Sequence, residues 1–126
     1  AVAPYLADPD PGIRQSAYKA LRRMDAPEAA SLLTTAYTRE TDPQVLASAA
    51  KTIAEMPPSH RTVAFARTRV FDSDNAKEQE HLVRLLGETL RQNPENETTL
   101  RSFLRIDPDP RVKMEVYRYI APEPGS

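Results

Sequence analysis

Apolar residues recur at helical spacing behind a repeated Asp-Pro phrase. After Asp10 come Ile13, Ala17, Ala20, Leu21 and Met24; after Asp42 come Val45, Ala49, Thr52, Ile53 and Met56; after Asp109 come Val112, Val116, Tyr119 and Ile120. Offsets of three, four, seven and eight from the first apolar residue mark one face of an α-helix. Around the blurred copy Asp72-Ser73-Asp74 the best face is Leu82, Leu85 and Leu86, one residue out of step. Strand-like alternation is nowhere sustained.

The phrase has a physical reason. Asp at an N-cap accepts the free N–H groups of the first turn, and Pro after it has no N–H to leave unpaired. Asp10, Asp42, Asp74 and Asp109 are therefore expected to cap four helices, at steps of 32, 32 and 35 residues. Such a period implies stacked supersecondary units. A second set of helices is expected between these, each opened by Pro: from Pro27 to about Tyr37, from Pro58 to about Val70, and from Pro94 to about Ile106. Their inward residues are Ala29, Leu32, Leu33, Ala36, then Val63, Phe65, Ala66, Val70, then Leu100, Phe103 and Leu104. The expected architecture is all-α, a solenoid of about four helix pairs over units 1–25, 26–57, 58–92 and 93–121 of a single domain. Residues 1–7 are too short for a full first helix, and 121–126 read as a frayed tail. The start at Ala1 without Met, and apolar residues along the last helix, point to a segment of a longer protein or to an end that packs on a partner.

Composition narrows the function. With 126 residues, 40% hydrophobic and 28% charged, the chain fits one folded domain with a modest core. Its net charge of -1 argues against a dedicated nucleic-acid binder. Absence of Cys removes disulfides and thiolate metal sites. No apolar run is long enough to span a bilayer. The cytoplasm is the expected compartment, with a removed signal peptide or anchor left open. His60 and His81 are the only histidines, in different helices and without metal-ligand spacing. Gly12, Gly87 and Gly125 are too scattered for a phosphate loop, and no Ser has a base beside it. No catalytic residue, metal site or cofactor is expected.

The phrase Asp10-Pro11-Gly12-Ile13-Arg14-Gln15-Ser16-Ala17-Tyr18-Lys19-Ala20-Leu21, with its echoes at 42–53 and 109–120, resembles HEAT repeats. It is similar in particular to the short bacterial type found in phycobilisome-lyase proteins. The resemblance implies an α-α superhelix with the second helix of each pair on the concave side. It implies an Arg ladder to the Asp of the neighbouring unit, which only Arg14 and Lys113 could serve here, since Leu46 departs from the pattern. It also implies a protein-interaction module or scaffold. A bilin lyase or isomerase subunit is the alternative, followed by a nucleic-acid-binding HEAT-like domain.

If the apolar stripes face the core, Gln15, Tyr18, Lys19 and Arg22 face away. Their counterparts are Ala47, Ala50, Lys51 and Ala54, then Glu80, Val83, Arg84 and Gly87, then Met114, Tyr117 and Arg118. Lys19, Lys51, Arg84 and Arg118 would form a basic column flanked by Tyr18 and Tyr117. Tyr and Arg are enriched at binding hot spots. The expected partner is a protein or peptide of acidic character, with self-association through the solenoid ends also open. The competing reading is a solvated helix face with the tyrosine rings packed between units.

Overall fold

The computed structural model describes residues 2–122, and the backbone alone at Ala26. Ala1 and residues 123–126, most of the expected tail, lie outside the described residues. Those described form seven α-helices and no strand. A 3-10 turn over Ala3–Ala7 stands where a first helix would be. Next come α1 (Pro11–Ala20), prolonged by a 3-10 turn over Leu21–Arg23, then α2 (Ala26–Arg39) and α3 (Pro43–Glu55). The chain continues through α4 (His60–Asp72), α5 (Ala76–Glu88), α6 (Glu95–Leu104) and α7 (Pro110–Tyr117).

Packing follows the repeat. The second helices stack in a row, α1 on α3, α3 on α5 and α5 on α7, while the first helices α2, α4 and α6 form a row behind them. Three full pairs plus α1 with its short leading turn make a helical solenoid. One continuous apolar cluster runs from Leu6 to Ile120 between the rows. Each fully buried Leu or Val in it contributes about 1.5–3 kcal/mol relative to exposure.

Caps set the helix starts. The Asp10 carboxylate accepts the N–H of Gly12 at 2.8 Å. Asp42 accepts those of Gln44 at 2.9 Å and Val45 at 3.1 Å, and Asp109 that of Arg111 at 2.8 Å. Asp74 is a correction. It is exposed, and the cap of α5 is Asn75, which accepts the N–H groups of Lys77 and Glu78. Asn has the same short acceptor at the same reach as Asp, so either residue can close that turn. Moving the cap by one residue removes the apparent phase slip: Ala17, Ala49, Leu82 and Val116 are each the seventh residue after a cap. The expected Pro start of the α4 helix also shifts. Ser59 caps it in a reciprocal box with Thr62, two backbone donors being satisfied by one pair of hydroxyls.

Two other expectations about facing are corrected. Ile13, assigned to the core, is 40% exposed. Tyr18, Ala50 and Val83, assigned to the outside, are fully buried. A second helix in the stack touches its own pair partner and the second helices on both sides. It therefore buries a far wider arc than the single stripe of an isolated amphipathic helix. Leu46 is buried for the same reason.

Polar groups inside the stack are paired. Asn96 of α6, fully buried, donates to the Leu86 carbonyl at 3.0 Å and the Thr89 hydroxyl at 3.1 Å, and accepts from Arg67 of α4 at 2.9 Å. One amide thus joins three helices. Gly87 of α5 lies against the Tyr119 ring so closely that a Cβ there would overlap it. Asp107, between α6 and α7, has a left-handed φ of 55°, a conformation Asp tolerates better than most residues. Its carboxylate pairs with Lys113.

Candidate functional site

Counted from the caps, the second helices share a register. The ninth residue is Lys19, Lys51, Arg84 and Arg118 in turn, a cation each time, with Arg118 at the C-cap just past α7. Lys19, Lys51 and Arg118 are exposed and Arg84 half-buried. Adjacent second helices pack on one another, so these side chains follow one another along the row. Among the described residues no hydrogen bond or ion pair engages Lys19, Lys51 or Arg84. Arg118 lies 3.4 Å from Glu115, one turn back on its own helix.

Beside this row runs an open groove of about 480 Å³ lined by Gln15, Gln44, Lys51, Asn75, Lys77 and His81. His81 is the sixth residue after its cap, where α1 and α3 carry Ser16 and Ser48. Burial pushes its imidazole below the ordinary value, the Arg84 and Lys51 cations add to that, and Glu55 and Glu115 oppose them. Burial thus favours the neutral imidazole, and the cations lining the groove are Lys51 and Lys77.

The remaining candidates divide. Gln15 is half-buried and donates to the Ser48 hydroxyl at 2.6 Å, a bond from α1 to α3. Arg22 is exposed but bound to Glu55 of α3 at 2.7 Å. Met114 and Tyr117 are 66% and 37% exposed, and Met114 lies one turn before Arg118 of the basic column. Tyr18 leaves the site altogether. Its ring is buried within the stack, burial raises its pKa, and its hydroxyl has no partner among the described residues. For Tyr18 this is the packing that the competing reading expected, whereas Tyr117 is 37% exposed.

The Arg ladder is also different from its expected form. Arg14 makes two bonds, of 2.9 Å and 3.0 Å, to Glu40 rather than to Asp42. Glu40, with a side chain only 3% exposed, also accepts the N–H groups of Thr41 and Asp42. Its carboxylate therefore fastens α1 to the loop that starts α3. Leu46 and Gln79 stand at the equivalent positions of α3 and α5, so no ladder continues.

A buried ionic cluster escaped the sequence reading. Glu78, fully buried, accepts Arg69 at 2.6 Å and the Ser73 hydroxyl at 2.6 Å, and is bonded by the Tyr37 hydroxyl. Arg69 also lies over the Tyr37 ring, 5.4 Å from its centroid, and Phe65 stacks on that ring at 4.9 Å. Burial and the adjacent Glu78 raise the Tyr37 pKa, while Glu78 raises that of Arg69. Glu78 is the third residue after its cap, where the other helices carry Ile13, Val45 and Val112. Placing the cap at Asn75 would have revealed an acid in a core position. Having three donors and little solvent access, the cluster joins α2, α4 and α5 and is read as structural.

Among the described residues no three His, Asp or Glu side chains are grouped to hold a metal ion, and no helix is long and apolar enough to cross a membrane. No curated protein and no solved structure matches the chain. Residues 1–55 match the family model for HEAT repeats, which supports a HEAT-repeat family, and the capped, stacked helix pairs that begin there continue through α7.

Proposed function

We propose that this HEAT-repeat stack is a protein-interaction module whose row of second helices receives an acidic, extended segment of a partner protein. HEAT repeats are commonly protein-interaction scaffolds, which supports the general role. The single observation that carries the specific one is the ninth-position column, cationic in every unit and, among the described residues, without a hydrogen bond or ion pair at Lys19, Lys51 and Arg84. Cations with no hydrogen bond or ion pair among the described residues are available to an outside carboxylate. Spaced along a stack, they suit a segment with repeated acids. Amide and hydroxyl groups of the neighbouring groove, Gln44 and Asn75 among them, offer hydrogen bonds to its backbone. Exposed charges of this kind contribute mainly to association rate and specificity, so binding should be salt-sensitive.

Amide shift mapping with a Glu-rich peptide tests the reading. Perturbations confined to Lys19, Lys51, His81, Arg84 and their neighbours support it. Perturbations on the first helices α2, α4 and α6, or none at all, contradict it.

A further inference from the structure

The two ends of the stack expose different positions of the shared register. The eighth residue after the cap is buried in α1, α3 and α5, as Tyr18, Ala50 and Val83, but in α7 it is Tyr117, 37% exposed. The third residue is fully buried in α3, α5 and α7, as Val45, Glu78 and Val112, but in α1 it is Ile13, 40% exposed. Position eight thus loses its cover where no second helix follows in the described structure, and position three where none precedes. Position five belongs with eight: Gln15 reaches forward to Ser48 of the next helix, and its last counterpart Met114 is 66% exposed. Of the six large apolar side chains exposed among the described residues, Tyr5 and Ile13 lie in the first unit and Ile106, Met114 and Tyr117 in the last.

We propose that copies of this chain associate head to tail, α7 of one copy docking on α1 of the next as α1 docks on α3 within the chain. The receiving surface exists. A groove of about 390 Å³, partly covered by the leading 3-10 turn, is lined by Val2, Tyr5, Ile13, Ser16, Ala17 and Ala20. Ile13, Ala17 and Ala20 are the third, seventh and tenth residues, matching Val45, Ala49 and Thr52 of α3. Tyr117 is the same residue type at the same position as Tyr18, whose ring is already buried in such a joint. Charge follows the same register. Arg14, the fourth residue, binds Glu40, which lies two residues before the next cap. The last fourth residue is Lys113, and the acid two residues before the first cap is Asp8. In the single chain Lys113 turns to Asp107 of its own unit. Head-to-tail contacts leave an open end at each step, so assembly extends beyond the dimer.

Sedimentation equilibrium of the chain, from micromolar to millimolar, reads this directly. The expected result is an average mass that rises past the dimer with concentration. Ile13→Glu blocks one end and Met114→Glu with Tyr117→Glu the other, so each variant stays monomeric at all concentrations. An equimolar mixture of the two variants forms dimers and nothing larger, because each retains one intact face; this also shows that both variants are folded. A monomeric wild type, an Ile13→Glu variant that assembles like wild type, or a mixture that stays monomeric overturns the proposal.

Discussion

Arg69 of α4 reaches across the stack to Glu78 of α5 with a 2.6 Å contact, and the glutamate it meets has no exposed surface. Glu78 occupies a core position that is Val in the neighbouring units, as Val45 and Val112. Buried ion pairs add little over an apolar packing of the same volume, but losing one partner strands the other. Arg69→Ala should therefore cost about 3 kcal/mol or more in urea unfolding. Combining Glu78→Val with Arg69→Met should recover much of that loss. If Arg69→Ala alone costs less than the loss of an exposed pair, ~0–1 kcal/mol, the cluster is not the joint described here.

Tyr18 gives an opposed pair of outcomes. Its ring fills space between second helices, so Tyr18→Ala should cost ~3–5 kcal/mol, the range for losing a large buried aromatic. Its hydroxyl is buried with no partner among the described residues. Tyr18→Phe should therefore be neutral or stabilising by up to about 1 kcal/mol. Thermal unfolding of both variants checks this, and a destabilised Tyr18→Phe would mean that the hydroxyl is bonded.

Gly87 sits inside α5, where Ala would ordinarily gain about 1 kcal/mol of helix propensity. Here the added methyl meets the Tyr119 ring of α7. Gly87→Ala should instead destabilise by ~1–3 kcal/mol, as overpacking does. Trimming the ring with Tyr119→Ala in the same chain should make the two changes less than additive. Additive costs would place Tyr119 elsewhere.

Much of this fold is legible in the chain because caps and apolar spacing are local signals. Asp10, Asp42 and Asp109 each start a helix, and Val45, Ala49, Ile53, Val112 and Val116 are buried as their spacing implies. The failures concern what stacking adds. Tyr18 and Val83 look polar-side on a helical wheel, yet a neighbouring second helix covers them. Ile13 looks like core, yet the described structure gives it no preceding helix. Asp74 and Asn75 are adjacent and chemically equivalent as caps, and choosing the wrong one hid Glu78. Within the candidate site, the cations at Lys19, Lys51, Arg84 and Arg118 are visible from sequence, since a charged ninth position needs no tertiary knowledge. The engagement of Arg22 with Glu55 and of Gln15 with Ser48 requires the next helix in place.

The role proposed for the ninth-position cations is to bind an acidic segment. Its most direct test is fluorescence anisotropy of a labelled Glu-rich peptide against wild type and a Lys19→Glu, Lys51→Glu, Arg84→Glu variant, at low and high salt. The account predicts binding to wild type that weakens with salt, and its loss in a variant whose unfolding temperature is little changed. Equal binding by both proteins, or wild-type binding indifferent to salt, would contradict it.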